Sequence, residues 1–352
     1  MGEHAARRKG PPTPALTRSS DDKVNWVSSI PFLGFHLLPL LAIFTGVTTK
    51  ALVMAAVLYA VRMFAITGGY HRYFAHRTYK TSRIAQAVLA FLGTTAVQKG
   101  PLWWASHHRS HHRYSDTDLD IHSPQKGFWW SHVGWFLCPK YSKTDMAAIP
   151  DLAKYPELVW LDRHDALGPW MLGVAAFLVG GWSGLVVGFF GSTVLLWHAT
   201  FTVNSLNHVW GRRRYATSDT SRNNPVLALL TSGEGWHNNH HHYPGSARQG
   251  FFWWEIDPTW YGLRALRALH LVSDLKQPSA AVKRGGRVRD GSFDLGMFRA
   301  SWTKASAAVA ASGAAASGIV DAKRAALHDV VQASLHAAED LTRAARTTAR
   351  TE

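Results

Sequence analysis

The stretch Ile66-Thr-Gly-Gly-Tyr-His71-Arg-Tyr-Phe-Ala-His76 decides how this chain folds, because it joins an apolar run directly to a pair of histidines. Residues 51–71 contain one charged side chain, that of Arg62. Such a run is long enough to cross a bilayer, which needs about 20 apolar residues. We therefore expect a membrane helix that delivers His71 and His76 to a site at its end.

Further apolar runs lie on either side of this stretch. Residues 24–49 carry no charged side chain, and neither do residues 166–211, a run of 46. The runs predict four spans at 28–48, 51–71, 166–183 and 185–206, arranged as two hairpins with short outer turns; fully buried helices of a soluble protein are the alternative. The run 84–97 is too short to span and predicts an interfacial or re-entrant helix.

The distribution of positive charge predicts the orientation. The segment 72–165 contains twelve Lys and Arg residues, whereas the two outer turns contain only Lys50. The positive-inside rule therefore puts this segment, both termini and the histidines in the cytoplasm, in a protein of the inner (plasma) membrane. Arg62 does not fit a lipid-facing helix, and it either reaches the boundary or faces the bundle interior.

Nine histidines form a recurring pattern in the segments that follow the apolar runs. They occur as three boxes and one outlying residue: His71 and His76; His108, His111 and His112; His237, His240 and His241; and His208. A single metal ion takes about four ligands, so nine imidazoles imply two metals with four or five each. Imidazole suits iron, copper, nickel and zinc alike.

The spacing within the boxes has a geometric reason. Residues at i, i+3 and i+4 share one face of a helix, so the second and third boxes can each aim at one point. His71 and His76 are five residues apart, which is awkward within one helix but natural where a helix ends and the chain turns.

The remaining histidines and the nearby acids need no metal. We interpret His107 and His242 as neighbours of the boxes, and as ordinary core or surface residues His4, His36, His122, His132, His164, His198, His270, His328 and His336. Four acids lie beside boxes and either orient imidazole N–H groups or are plain loop residues: Asp116, Asp118, Asp120 and Glu234.

A histidine-rich pair of metals beside a hydrocarbon phase indicates oxygen activation on a lipid, because acid–base side chains cannot break unactivated C–H bonds. The net charge of +15 is scattered and no nucleic-acid motif occurs. Anionic lipid headgroups or an acidic redox partner explain the charge more simply than nucleic acid does.

Over about 30–276 the chain resembles the membrane-bound fatty acyl desaturases, most closely their Δ9 branch. The boxes have the family patterns HxxxxH, HxxHH and HxxHH, with the flanks Ser131-His-Val-Gly-Trp135, Val203-Asn-Ser205 and Gly233-Glu-Gly-Trp236. The resemblance implies two Fe2+ ions held by the nine histidines, with Asn204 reaching iron through a water. It also implies a separate electron donor such as ferredoxin, rubredoxin or cytochrome b5 with a reductase, since no His-Pro-Gly-Gly motif occurs.

Two departures from the animal acyl-CoA enzymes bear on the substrate. Ser106 and His107 stand where those enzymes carry Arg-Asp, and Phe201 stands where they carry Trp. We therefore expect a lipid-linked substrate, with acyl-CoA as the alternative because Arg109 and Lys126 could compensate for the lost CoA contacts. Phe201, Arg109 and Lys126 are the candidate substrate-binding residues. The expected reaction is the introduction of a cis double bond at Δ9 of a saturated acyl chain. A lipid hydroxylase on the same scaffold and a non-enzymatic metal-binding membrane protein are the alternatives.

These observations predict an all-α protein whose four membrane helices form two hairpins beneath a cytoplasmic helical cap holding the di-iron site. The cap would consist of 72–165 and 207–276. We expect three segments: a tail at 1–27, the membrane domain at 28–276, and a basic linker followed by an Ala-rich tail at 277–352, whose composition changes after Pro278.

Overall fold

The structure, a computed structural model, describes residues 16–288. Most of the predicted tails, together with His4, His328 and His336, lies outside the described residues. The helices are α1 Ile30–Leu37, α2 Ala42–Thr45, α3 Thr49–Phe64, α4 Arg83–Thr94, α5 Pro101–Tyr114, α6 Pro150–Ala153, α7 Pro156–Arg163, α8 Leu167–Ser183, α9 Ser192–Asn204, α10 Leu206–Val209, α11 Pro225–Leu230, α12 His237–His242, α13 Pro258–Ala268 and α14 Ala280–Arg284. Short 3-10 turns lie at Leu38–Leu41, Pro124–Lys126, Pro139–Tyr141 and Met146–Ala148, and π-helical segments at Ala65–Ala75, Trp130–Gly134 and Gly184–Gly191.

The prediction of a helical protein is confirmed, with one small exception. Strands β1, Lys80–Thr81, and β2, Val272–Ser273, pair antiparallel, with Lys80 opposite Ser273. The pair of strands joins the segment that follows the first histidine box to the segment that follows α13. Two residues give too little alternation to be recognised in a sequence.

Two helical stretches of the described chain are long and apolar enough to cross a membrane, Thr49–Ala75 with 27 residues and Leu167–Val209 with 43. The stretches Ile30–Thr45 and Arg83–Thr94 are apolar but shorter. The first of these contains a 3-10 turn at Pro39 and ends at Gly46, whose φ of 72° takes the chain out of the helix. The Thr48 hydroxyl then caps α3 by accepting a hydrogen bond from the Ala51 N–H at 3.1 Å.

The stretch Leu167–Val209 is folded back on itself. Gly181 has a φ of 60° and a ψ of −156°, which breaks the helix because most side chains avoid this region. A straight helix of 43 residues would be about 65 Å long, far more than a bilayer. A Cβ on Gly184 would lie 2.5 Å from the Ala176 carbonyl oxygen, so the segments on either side of Gly181 pack closely together.

The turns at Gly46 and Gly181 lie side by side. The Ser183 hydroxyl donates to the Gly46 carbonyl at 3.0 Å, and the Thr48 N–H donates to the Ser183 hydroxyl oxygen at 3.3 Å. The far end of the helical bundle is therefore closed by contacts between the two turns.

Arg62 faces the bundle interior, which answers the question that the sequence left open. Its side chain is 1% exposed, and its guanidinium donates to the hydroxyls of Ser192 and Thr193 at 2.6 Å each. These hydroxyls in turn donate to carbonyls of the π-helical segment before α9. Arg62 thus ties α3 to the start of α9 through hydrogen bonds, as a buried cation requires.

A buried ion-pair network connects the end of the first membrane-length helix to the cap. Arg72 is fully buried and lies 3.1 Å from a Glu234 carboxylate oxygen and 2.9 Å from one of Asp257. Glu234 precedes α12, and Asp257 caps α13 by accepting from the Trp260 N–H at 3.0 Å. This network fixes the first histidine box relative to the third.

Candidate metal centre

The nine predicted histidines come together as two neighbouring groups. In each group the nitrogen atoms facing one another lie within 4.8 Å. The first group contains His71, His76, His108, His112 and His240, and the second contains His111, His208, His237 and His241. The groups of five and four match the division that the number of imidazoles predicted.

The first box owes its geometry to a π-helical turn. The His76 N–H donates to the His71 carbonyl at 3.2 Å, an i to i+5 hydrogen bond that widens the helix. This turn brings two side chains five residues apart onto the same side, with ring centroids 4.9 Å apart. We expected His71 and His76 to meet at a helix end, and the π-turn is the device that achieves it. Arg77, with a φ of 51°, then leaves the helix.

The second and third boxes do not each aim at one point, as the spacing had suggested. In α5, His108 and His112 join the first group while His111 joins the second. In α12, His240 joins the first group while His237 and His241 join the second. Each of the two helices contributes to both groups because adjacent side chains diverge by about 100° around a helix.

His208 reaches the second group from α10, the short helix that follows the fourth apolar run. Its Nε2 lies 3.0 Å from Nε2 of His237. Ser205 separates α9 from α10 with a φ of −100° and a ψ of −72°, which redirects the chain before His208. The outlying histidine is therefore placed by a break in the long helix.

The spacing of the nitrogens fits metal coordination. Pairs of Nε2 atoms lie 2.8 Å apart between His76 and His108, and 2.9 Å apart between His112 and His240. Two imidazole nitrogens at right angles around one ion, each at about 2.1 Å, would be about 3 Å apart. Nε2 of His241 is buried and has no hydrogen-bond partner among the described residues. The donor set can therefore hold two metal ions.

Carboxylates hold the opposite nitrogen of four of these rings. The contacts to Nδ1 are Glu234 to His71 at 2.6 Å, Asp120 to His111 at 3.1 Å, Asp116 to His208 at 3.2 Å and Asp219 to His241 at 2.6 Å. A carboxylate at Nδ1 fixes the tautomer and points Nε2 at the centre. For Asp116, Asp120 and Glu234 the question left open by the sequence is answered in favour of the orienting role, whereas Asp118 is exposed.

The electrostatics of the centre follow from burial. Burial, reinforced by neighbouring histidines, holds the pKa of His76, His108, His112, His237 and His240 well below its usual value. Burial alone would raise the pKa of Asp116, but His208 and hydrogen bonds from Ser123 and Thr220 lower it well below its usual range. Neutral imidazoles beside ionised carboxylates are the state in which histidine binds a cation.

Three residues of the site were not found from the sequence. Asp219 contacts His241 from 22 positions away, and the Gln249 amide lies 3.3 Å from Nδ1 of His71 and 3.4 Å from Nδ1 of His240. His122, taken as an ordinary core residue, is 3% exposed, and its ring centroid lies 4.2 Å from that of His111. None of these residues stands in a box or at a ligand spacing, so only the fold reveals them.

A cavity of about 1070 Å³ begins at the centre and runs between the apolar helices. It starts at His71, His108 and His122 and is walled by Phe32, Phe136, Phe189, Trp197 and Phe201. It also reaches Trp170, Val174 and Phe177, whose side chains are 74%, 54% and 37% exposed on the apolar surface. The cavity therefore connects the histidine groups with the outer surface of the helical bundle.

The other predicted site residues divide between the cavity and the cap surface. Phe201, Asn204 and His107 line the cavity. Arg109 instead binds Asp151, at 2.6 Å, and three backbone carbonyls. The Lys126 ammonium donates to the carbonyls of Asp118 and Asp120. The structure does not bring Arg109 or Lys126 to the cavity wall. His242 contacts the Val282 carbonyl at 3.0 Å and belongs to neither histidine group.

A second histidine cluster, which we call the histidine chain, consists of His36, His198 and His132. His36 Nε2 lies 2.9 Å from His198 Nε2, and His198 Nδ1 lies 3.0 Å from His132 Nε2. At the two ends of this chain of rings, Nδ1 of His36 contacts the Phe32 carbonyl and Nδ1 of His132 contacts the Ser205 hydroxyl. These imidazoles bind one another and join α1 to α9 and to the Trp130–Gly134 segment.

Comparison with known proteins agrees with this geometry. Residues 48–276 match the model of a family described as fatty acid desaturase. The chain is 39% identical over 265 residues to the sn-2 palmitoyl-lipid 9-desaturase of Nostoc sp. (strain 36), covering 73% of this chain and 92% of that protein. It is 39% identical to the sn-1 stearoyl-lipid 9-desaturase of Anabaena variabilis, over 74% of this chain and 97% of that protein. It is 40% identical to an acyl-CoA 5-desaturase of Anemone leveillei, over 71% of this chain and 79% of that protein.

Proposed function

Because the chain belongs to the fatty acid desaturase family, whose members are oxidoreductases that use O2, we propose that it places a cis double bond at Δ9 of a saturated acyl chain carried by a membrane lipid. The observation that supports this most is the cavity, which leads from the two histidine groups to the apolar surface. At about 1070 Å³ it is slightly larger than most ligand pockets, which measure about 300–1,000 Å³.

The proposed cofactor is a pair of Fe2+ ions. Its ligands would be the five histidines of the first group and the four of the second, with Asn204, on the cavity wall, acting through a water. When bound, the metal pair supplies the redox chemistry that removes two hydrogen atoms from neighbouring carbons. With one O2, two electrons and two protons, the reaction yields an alkene and two waters.

The residues of the chain itself provide orientation and a dry cavity. Glu234, Asp120, Asp116 and Asp219 hold the ligand rings in place through Nδ1. The aromatic walls exclude water from the hydrocarbon and limit how the acyl chain bends. Which methylenes lie beside the histidine groups then depends on where the carboxyl end of the substrate is held.

A lipid-linked substrate is supported by the charge of the cavity wall. Among the described residues, Lys99 is the one Lys or Arg that lines the cavity, and Asp165 lines it too. A CoA head carries several phosphate charges and would require more cations than this. A glycerolipid needs no such contacts, because its acyl chain can enter from the bilayer beside Trp170 and Val174.

We further propose that α1 with α2, α3, α8 and α9 form four spans, with the cap and both termini in the cytoplasm. Support comes from Gly46 and Gly181, which end helices at the two predicted outer turns, and from the positive charge of 72–165. A reporter fused after Lys276 should read as cytoplasmic, and a tag inserted near Thr48 should be accessible from outside. Opposite labelling would contradict this topology.

The metal proposal is tested by metal analysis of protein purified under reducing, zinc-poor conditions. We expect about two irons per chain. Zinc competes for such sites because it binds nitrogen ligands more tightly than ferrous iron does. A reproducible single zinc in fully active protein would contradict the di-iron assignment.

The reaction is tested by expression in a host that lacks Δ9 desaturation, followed by fatty acid profiling. A cis-Δ9 alkene is expected, and an alcohol would identify a hydroxylase.

For the acyl carrier, purified enzyme with a reducing system should be offered labelled stearoyl-CoA and labelled phospholipid separately. Conversion of the CoA ester alone would contradict the lipid-linked substrate and leave the Δ9 chemistry standing.

A further inference from the structure

An apolar rim is exposed on the cap, and none of its residues lines the cavity. It is formed by α11 and by the loop before α13. Its exposed side chains are Val226 at 54%, Leu229 at 65%, Leu230 at 49%, Trp253 at 82%, Trp254 at 54% and Ile256 at 55%. The two segments adjoin, because the Thr259 N–H at the start of α13 donates to the Ser232 carbonyl just after α11 at 3.1 Å. Six apolar residues exposed to this degree on adjoining segments indicate an interaction surface, since a face left in water would promote aggregation.

This apolar rim continues the surface of the membrane-length helix Thr49–Ala75. The Tyr59 hydroxyl donates to the Leu230 carbonyl at 2.6 Å, which brings the end of α11 against that helix. The Phe64 ring lies so close to Gly262 of α13 that an added Cβ would be 2.6 Å from it. Ile256 is held to the cap by its carbonyl, which accepts from Trp236 Nε1 at 2.8 Å. The rim therefore lies beside the helix surface that would face lipid.

Three cations surround the ring of Phe252, the residue before the two tryptophans. The Arg214 guanidinium carbon lies 4.7 Å from the ring centroid, that of Arg287 lies 5.1 Å away, and the Lys283 Nζ lies 5.9 Å away. Of these three, Arg214 forms a salt bridge with a carboxylate, that of buried Glu255. Burial, with repulsion from Arg248 as the next cause, lowers the pKa of Lys283. We call Phe252 with these three cations the cationic site.

The cationic site is held in place by backbone pairing. The Ala216 N–H donates to the Gly286 carbonyl at 2.7 Å, and the Val288 N–H donates to the Arg214 carbonyl at 2.8 Å. The Arg287 Nε donates to the Lys283 carbonyl at 2.8 Å. The basic segment that the sequence suggested was a linker therefore packs, up to Val288, against the cap beside the third histidine box.

We propose that the cationic site binds the phosphate of an anionic phospholipid while the apolar rim enters the adjoining leaflet. Excess positive charge around one ring is stabilised by an anion, and a phosphate accepts from Arg and Lys at once. Exposed tryptophans beside clustered cations are typical of the boundary between headgroups and acyl chains. The contact of Leu230 with Tyr59 favours lipid over an acidic protein at this surface. This lipid would be bound outside the cavity, and the proposal rests on the proposed membrane topology.

A site-specific fluorescence measurement tests the proposal without requiring turnover. Cys138 is the only cysteine, so a Cys138→Ala background permits one label on a Trp253→Cys variant. The full chain is reconstituted in phosphatidylcholine vesicles that contain a small fraction of either brominated phosphatidylcholine or brominated phosphatidylglycerol. A label at Asp118→Cys, on an exposed polar loop, is the aqueous reference.

We expect brominated lipid to quench the label at position 253 and not at position 118. Phosphatidylglycerol should quench about fivefold more effectively than phosphatidylcholine, the preference expected when a surface cation meets an anionic lipid. The double variant Lys283→Gln/Arg287→Gln should lose this preference and keep the quenching. The control is Arg284→Gln, because Arg284 is an exposed cation on α14, next to Lys283, and makes no contact with the Phe252 ring. This variant should keep both the quenching and the preference for phosphatidylglycerol.

Two outcomes would overturn the proposal. Absence of quenching at position 253 would show that the rim lies in water, as a docking surface for a soluble protein would. Equal quenching by the two lipids, or a preference that survives Lys283→Gln/Arg287→Gln, would show that the cationic site does not select an anionic phospholipid over a zwitterionic one. Because no reaction is measured, failure of the proposed desaturation would leave this test intact.

Discussion

The candidate metal centre and the histidine chain are built from the same side chain and differ in what holds the second ring nitrogen. In the metal centre, carboxylates occupy Nδ1 of four rings, and Nε2 atoms converge at 2.8–3.0 Å. In the histidine chain, His198 uses both nitrogens on His36 and His132, and no carboxylate touches the three rings in the described structure.

The difference teaches how a fold turns histidine into a metal ligand. A carboxylate at Nδ1 fixes the proton there and leaves a lone pair on Nε2, so the ring can donate to a metal. In the histidine chain both nitrogens of His198 are already engaged in hydrogen bonds, and its three residues connect elements instead. Whether a histidine can bind metal therefore depends less on its spacing in the sequence than on which group contacts its second ring nitrogen.

The largest expected effect is the removal of one ligand from each group. His240→Ala and His208→Ala should each abolish desaturation, by more than about 100-fold, because each removes an imidazole from a site that needs four or five. Fatty acid profiles and iron per chain measure the two losses. Activity of His208→Ala near that of the unmodified enzyme would exclude His208 from the centre.

Removal of an orienting carboxylate should have the next largest effect. Asp219→Asn and Glu234→Gln keep the size of the side chain but weaken its hydrogen bond to Nδ1 of His241 and His71, respectively. Iron affinity or activity should therefore fall by about 10–100-fold. Iron titration of the reduced protein measures the affinity. The matched control is Asp118→Asn, an exposed acid in the same region, which should behave like the unmodified protein. An equal loss in all three variants would argue against the orienting role.

A break in the histidine chain should change stability more than chemistry. His198→Ala removes the central hydrogen-bonding residue, and each lost hydrogen bond costs about 1 kcal/mol of unfolding free energy. We expect a lower thermal midpoint, iron content unchanged and activity within about threefold, since the variant lacks no ligand. Loss of iron from His198→Ala would make the two histidine regions one functional unit.

The smallest effect is expected at His242, which follows the third box directly. Its ring stacks on Tyr215 with centroids 3.9 Å apart and contacts the Val282 carbonyl, on the side of α12 away from the centre. His242→Ala should therefore retain its iron and most of its desaturation activity. A loss comparable to that of His240→Ala would mean that α12 presents a different face to the metals.

Part of the candidate site was predictable because it depends on short spacings. The three boxes and His208 identified nine ring donors, and their number indicated two ions before any geometry was known. The assignment within the boxes was not predictable. Each of α5 and α12 divides its histidines between the groups, and that division depends on how the two helices face each other.

The sequence by itself determined that the protein is helical, where its apolar runs lie and which side chains can bind metal, because these properties depend on residue type and local period. Only the tertiary structure decided the partners. The π-turn at His76, the interior position of Arg62, the contact of Asp219 with His241 and the folding of Lys283–Val288 onto the cap all join residues distant in sequence or depend on a backbone form that no spacing encodes. Such contacts form because buried charges and imidazoles require hydrogen-bonding partners, and the fold determines which partners are near.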